Sequence, residues 1–257
     1  MPRITTVLNQ KGGVGKTTTA HALATGLRHR GYKALVIDAD PQGNISYTMR
    51  ADTLKTGLYD AMRGDVSAAD TIQHTQQGDI ISSSLYLAGA DMEFTQTGRE
   101  YLLKEMLAAI SANYTHIVID SPPALGIMTI NALTASTDIV IPVGADIYSL
   151  QGLQQLLTTV GKVQRYSNAE LAIAGLLITR KGNNAIATRQ LLEAIQQKAE
   201  ALQLHLYGAI IREAVAVREA QIMQKSLFTA NPTAKVVEDY NAFINEYLKQ
   251  QNNKGRA

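Results

Sequence analysis

The chain has 257 residues, of which 46% are hydrophobic and 18% charged, a balance that fits a globular protein and excludes a disordered or fibrous one. It contains no cysteine, so a disulfide framework, an iron–sulfur cluster and a thiolate zinc site are all excluded. The net charge of +2 is unevenly spread: residues 1–160 hold 11 Lys+Arg against 14 Asp+Glu, and residues 161–257 hold 13 against 8, a basic C-terminal portion that hints at nucleic acid.

The first element is a short β-rich run over residues 3–8, followed by Gln10-Lys11-Gly12-Gly13-Val14-Gly15-Lys16-Thr17-Thr18 and a helical pattern over 17–30 with Ala20, Leu23, Ala24 and Leu27 on one face. Strand, glycine loop and helix form the arrangement that aims a helix N-terminus and free amides at an anion. The common phosphate-loop pattern is G-x-x-x-x-G-K-[ST], in which amides cradle phosphates, the lysine reaches the β- and γ-phosphates and the hydroxyl binds Mg²⁺. Gly15, Lys16 and Thr17 fill its last three places, Gln10 stands where the first glycine belongs, and a second lysine, Lys11, follows. One lysine suffices for a nucleotide in its own subunit, so Lys11 is expected to meet a phosphate bound in a partner subunit.

The next run, KALVI over residues 33–37, reads as a buried strand ending in Asp38-Ala39-Asp40-Pro41-Gln42-Gly43. Carboxylates at i and i+2 lie on one side of an extended segment, and the end of a strand is where open α/β sheets bind ligands. A looser stretch then runs to about residue 78, a strand is expected over 79–82 and a helix over 98–111. HIVID over 116–120 is an apolar strand ending in Asp120, the form of a Walker B element whose carboxylate supports Mg²⁺. Beyond it the pattern gives a helix over 127–135, a strand over 138–143, a helix over 150–165 and a strand over 171–179. A helix over 185–202, a strand over 207–211 and helices over 215–224 and 234–249 complete the chain. Strands alternating with helices imply a single-domain P-loop α/β fold, a mostly parallel twisted sheet covered by helices on both faces. The domain is expected over residues 1–250, with 251–257 a flexible tail. The five histidines lack ligand spacing, and apolar runs such as 171–178 are too short to span a bilayer. The loop begins ten residues in, so neither a signal peptide nor an N-terminal helix-turn-helix is expected and the protein is read as cytoplasmic.

Three stretches, NQKGGVGKTTT (9–19), DADPQGN (38–44) and IDSPPALG (119–126) continuing through TINALTA (129–135), resemble the ParA/MinD group of deviant-Walker P-loop ATPases. The closer likeness is to ParA/Soj DNA-partition ATPases, with Ile141-Pro142-Val143 and residues 148–157 also similar. The resemblance implies a Mg²⁺-dependent ATP hydrolase whose two subunits sandwich two ATP molecules. In it Lys11 reaches the partner's nucleotide, while Lys16 and the amides of Gly12, Gly13, Val14, Gly15, Lys16, Thr17 and Thr18 hold the phosphates in cis. Thr17 ligates Mg²⁺, Asp38 and Asp120 hold its water shell, and Asp40 orients the attacking water. The segments after Asp40 and Asp120 act as switches. The resemblance further implies non-specific DNA binding by the dimer, a ParB-like adaptor on a centromere-like site, and a nucleoid-associated location.

The chain departs from that family near its C-terminal third. The usual VIPRNVRLSEA is IIREAVAVREA over 210–220, so the family's two arginines fall on Glu213 and Ala216, and new ones stand at 212 and 218. An earlier family arginine falls near Asn184, with Arg189 about one turn later. Arg180, Lys181, Arg189, Arg212, Arg218 and Lys225 are the candidates for DNA contact. The alternatives are a MinD-like positioning ATPase for a protein or membrane cargo, against which the polar tail 248–257 counts, and a small-molecule ligase resembling dethiobiotin synthetase, against which Lys11 counts. A nitrogenase-reductase-like carrier is excluded by the missing cysteines.

Overall fold

The computed structural model describes residues 2–145, 152–182 and 185–254, without the side chains of 185–189 and 252–254. Eight strands form one sheet: β1 (Arg3–Val7), β2 (Ala34–Asp38), β3 (Ile72–Thr75), β4 (Gly78–Ile81), β5 (His116–Asp120), β6 (Asp138–Gly144), β7 (Ala172–Lys181) and β8 (Leu206–Arg212). Their order is β3-β4-β2-β5-β1-β6-β7-β8, parallel throughout except for the β3–β4 hairpin. The helices are α1 (Lys16–His29), α2 (Asn44–Thr48), α3 (Leu58–Arg63), α4 (Ala90–Glu93), α5 (Leu102–Ala108), α6 (Ile127–Ala135), α7 (Leu153–Tyr166), α8 (Ala185–Ala201), α9 (Val215–Ile222), α10 (Leu227–Ala230) and α11 (Lys235–Lys254).

The near-continuous apolar runs of β2, β5 and β6 are what strands buried on both faces require. Successive side chains point to opposite faces, and the packing follows that period. Val36, Val118 and Val140 face a cluster built with Leu23 and Leu27 of α1 and with Phe243 and Tyr247 of α11. Leu35, Ile37, Ile117 and Ile119 face the other side, against Leu103 and Leu107 of α5 and Met128 of α6. Ile139, Ile141, Leu176 and Ile178 continue that side under Leu156 and Val160 of α7 and Ile195 of α8.

Two differences from the sequence reading have local causes. The stretch before residue 78 contains α2, α3 and strand β3; β3 is a sheet edge whose residues are only partly buried, so it carries no apolar run to betray it. The last helix also runs further than the expected residue 249, since α11 continues to Lys254. There the Gln250 amide donates to the Ala174 carbonyl at 2.8 Å, and its oxygen meets the Tyr207 hydroxyl at 3.1 Å. Among the described residues no helix is long and apolar enough to cross a membrane.

His21 of α1 is buried, its Nε2 2.9 Å from Gln77 Oε1, and burial pushes its pKa down to about 4 against the opposing effect of that contact. An ordinary histidine in the unfolded chain titrates near 6.5, so between those values the unfolded state binds more protons and stability falls as the pH is lowered. The full effect is about 3 kcal/mol, present above pH 6.5 and lost on acidification to pH 4. His21→Gln should therefore flatten the fall in melting temperature between pH 7 and pH 5; parallel profiles for the two chains would count against this.

Candidate active site

The strand order reverses about β1, which lies between β5 and β6 while the chain itself proceeds to β2. Such a switch point opens a crevice at the C-terminal ends of the strands. Register sets what stands there: Val7 pairs with Asp120, and Asp38 pairs with Asp120 on the other side. The three chain segments singled out by the sequence thus leave adjacent strands side by side.

The glycine loop joins β1 to α1 through two left-handed residues, Gly13 with φ 74° and Gly15 with φ 82°, a conformation in which a Cβ is strained. Asn9 holds its start, donating to the Pro142 carbonyl at 2.6 Å and accepting from the Lys11 amide at 2.9 Å. The Thr179 hydroxyl donates to the Val14 carbonyl at 2.8 Å from the far side. Lys16 opens α1 and is buried, its ammonium donating to the Lys11 carbonyl at 3.2 Å. Burial lowers its pKa, and Asp120 and Asp40 oppose that fall.

Asp38 is completely buried, and accepts from the Ser46 amide at 2.9 Å, the Ser46 hydroxyl at 2.6 Å and the Asp40 amide at 3.2 Å. Burial raises its pKa despite these donors. Asp120 is harsher still: both oxygens are buried without a hydrogen-bond partner. Burial and then the Asp38 charge push its pKa well above the carboxylate range, and the neighbouring Thr17 hydroxyl opposes this without completing a hydrogen bond. A buried carboxylate without donors is costly, and such groups are found paired, protonated or coordinating a cation. A hydrated divalent cation fits this donor set, with hard oxygens from Asp38, Asp120 and Thr17.

The glycine loop, Lys16 and Asp40 border a cavity of about 870 Å³, lined by Gly12, Gly13, Gly15, Lys16, Thr17, Thr18 and Asp40. It is also lined by Ile211, Arg212, Glu213, Ala214, Val217, Arg218, Gln221 and Tyr240, contributed by β8, α9 and α11. Loop amides and a lysine beside an apolar-and-polar wall make a site that can hold a phosphorylated nucleoside. Lys11 is not among the residues lining this cavity, whereas Lys16 is.

Two of the six basic candidates are bonded to partners within the chain. Arg212 is committed to Asp239 by a two-pronged ion pair of 2.6 and 2.7 Å, and Arg180 bonds the Gly13 carbonyl and Glu213. Lys181, Arg218 and Lys225 are exposed; the side chain of Arg189 and all of Asn184 lie outside the described residues, as do residues 148–151 of the resemblance. Sequence reasoning missed Ser46 and Ser83. Ser46 grips Asp38, its hydroxyl accepts from the Ser83 amide at 3.0 Å, and the Ser83 hydroxyl donates to the Asp40 carbonyl at 2.6 Å. A serine in a short helix, or just past a strand, is too common to have marked them. Gln77, also missed, donates to the carbonyls of Thr48 at 2.7 Å and Gln224 at 3.1 Å, tying the segment after Asp40 to the turn after α9.

Residues 2–173 match a family model described as AAA domain. The sporulation initiation inhibitor protein Soj of Bacillus subtilis (strain 168) is 38% identical over 246 residues, covering 93% of this chain and 96% of that protein. A Mycobacterium smegmatis protein solved as cobyrinic acid a,c-diamide synthase with bound ATP analog and magnesium superposes with a TM-score of 0.86 at 28% identity, over 98% of this chain and 96% of that one. A putative plasmid partition protein from Borrelia burgdorferi B31 bound to AMPPNP gives a TM-score of 0.83 at 27% identity, over 98% of this chain and all of that one (100%).

Proposed function

The chain belongs to the ParA/Soj group of AAA-domain P-loop ATPases, and from that premise we infer that it is an ATP-driven dimerising switch that carries a DNA or other cargo by binding DNA non-specifically in its ATP state. The observation that carries the reading is the division of labour between the two lysines: Lys16 lines the cavity of its own chain and Lys11 does not. The Lys11 side chain stands on the same loop but outside its own nucleotide site, where the nucleotide of a second copy would be its phosphate partner.

ATP occupies the cavity with its phosphates on the amides of Gly12 to Thr18 and on Lys16. Thr17 would ligate Mg²⁺ and Asp38 and Asp120 would hold its water shell, and the unpartnered Asp120 oxygens are the feature of this chain that fits it. When bound, Mg²⁺ neutralises charge on the transferring phosphoryl group. Asp40, buried at the cavity wall, positions the attacking water. The protein partners are a second copy of the chain and a ParB-like adaptor, with DNA as the surface on which the dimer resides. Lys181, Arg218 and Lys225 are exposed and would meet DNA phosphates, with Arg189 a candidate on its sequence position alone, whereas Arg180 and Arg212 are bonded within the chain.

DNA binding measured with ATP, ADP or no nucleotide across a salt series tests this reading. Retention is expected with ATP alone, with an affinity that falls steeply with salt: each phosphate neutralised steepens the slope of log K against log salt by about 0.9. Binding that is indifferent to nucleotide or to salt overturns it, as does ATP turnover that requires a metabolite and ignores DNA.

A further inference from the structure

Among the described residues four that are not glycine have left-handed backbones, Arg50, Arg180, Gln203 and Gln224. Of these only Arg180 lines the nucleotide cavity. The cause is a bulge in β7. This strand outruns β6, whose last pair is Gly144 with Thr179, and its register with β8 then slips between Ile178 and Lys181. Arg180 falls in that slip with φ 55°. A bulge leaves a residue out of the ladder and re-aims its side chain, and such irregularities cluster beside functional sites.

The side chain so re-aimed turns onto the glycine loop. Arg180 Nη1 donates to the Gly13 carbonyl at 2.7 Å, and its Nη2 donates to Glu213 Oε1 at 3.0 Å. Immediately before it, the Thr179 hydroxyl donates to the Val14 carbonyl at 2.8 Å. Consecutive residues of β7 thus hold consecutive carbonyls of the loop. A peptide is planar, with its C=O and the following N–H pointing oppositely. Holding the Gly13 carbonyl toward β7 turns the Val14 amide the other way, and holding the Val14 carbonyl does the same for Gly15.

We propose that Arg180 is a positioning residue for the phosphate loop: its guanidinium pins the Gly13 carbonyl so that the Val14 amide is set for a phosphate before nucleotide arrives. The inference rests on the nucleotide site described above and adds to it a residue that the phosphate-loop motif does not contain. Glu213 shares the same guanidinium and its own amide donates to the Lys181 carbonyl at 3.1 Å, so the loop is joined through one side chain to the segment between β8 and α9 that also lines the cavity. Bound phosphate itself orders the loop, so ordering it beforehand favours binding rather than the chemical step.

The test uses Arg180→Gly, because glycine adopts a left-handed backbone freely, so the side chain is removed without adding backbone strain. Titration with a fluorescent ATP analogue and Mg²⁺, with phosphate release alongside, should show Kd and KM for ATP raised about tenfold, the loss expected for one charge-assisted hydrogen bond. The kcat should stay within about twofold and the melting temperature should not fall. Arg180→Lys should recover part of the affinity, because a cation still reaches one carbonyl. Arg180→Gly with unaltered Kd overturns the proposal, as does an Arg180→Lys chain that recovers none of the lost affinity. An unaltered chain that binds no MgATP overturns the nucleotide site and this inference together.

Discussion

Lys11→Ala should leave the chain monomeric with MgATP at concentrations where the unaltered chain becomes a dimer. The expected size of the effect follows from symmetry. A two-fold dimer repeats every contact, so one substitution removes two lysine–phosphate pairs. Truncating one partner of a desolvated charge pair costs about 2–5 kcal/mol, and two such losses weaken the dimer on the order of 10³-fold or more. Binding of ATP by the monomer should change little, because Lys16 and the loop amides, not the Lys11 side chain, line the cavity. Sizing with light scattering, run beside a nucleotide titration, separates the two. A variant that still dimerises with ATP removes Lys11 from the interface, and one that loses ATP binding outright places it in its own site.

Much of this arrangement is legible in the chain because its chemistry is local. Residues 10–18, 38–40 and 120 are short segments at the ends of apolar runs, and strand ends in a parallel sheet converge. The adjacency of Asp38 and Asp120 as register partners follows from the sheet order, which no single segment encodes. What was not legible depends on contacts across long separations. Ser83 serves Asp40 from 43 residues away, and Gln77 reaches Gln224 across 147. The basic candidates show the same limit in the other direction. Arg180 and Arg212 read as cations in a basic portion, yet Glu213 and Asp239 pair with them, and Arg180 is also bonded to the Gly13 carbonyl, 167 residues distant. Sequence reports the sign of a side chain, and only folding reports what it faces.

The segment after Asp40 illustrates how that long-range wiring bears on the chemistry. Its helix α2 is held from three directions: Ser46 grips Asp38, Gln77 takes the Thr48 carbonyl, and Gln224 donates to the Tyr47 carbonyl at 2.9 Å. Arg50 adds a bond to the Met223 carbonyl at 3.2 Å. This segment is thus bonded to the turn following α9, whose helix also lines the cavity. The exposed cations Arg218 and Lys225 stand on that helix and that turn.

Asp40→Ala should bind ATP, dimerise and then hydrolyse on the order of 10²–10³-fold more slowly, the loss expected when the group that positions a nucleophile is removed. The carboxylate is set by its own neighbours. Its Oδ1 accepts from the Gln42 amide at 3.0 Å, and its carbonyl accepts from the Gly43 amide at 2.9 Å and the Ser83 hydroxyl at 2.6 Å. The backbone contacts survive the substitution, so the turn persists and only the side chain is lost. Lys16, Thr17 and the loop amides are untouched, and a negative charge beside the site of a triphosphate is removed. Affinity for ATP should hold or rise, and the dimer should persist after mixing because its exit step is blocked. Phosphate release and sizing on the same sample decide the matter. Release at the unaltered rate would assign water positioning to another group, whereas loss of ATP binding would make Asp40 part of the nucleotide cradle instead.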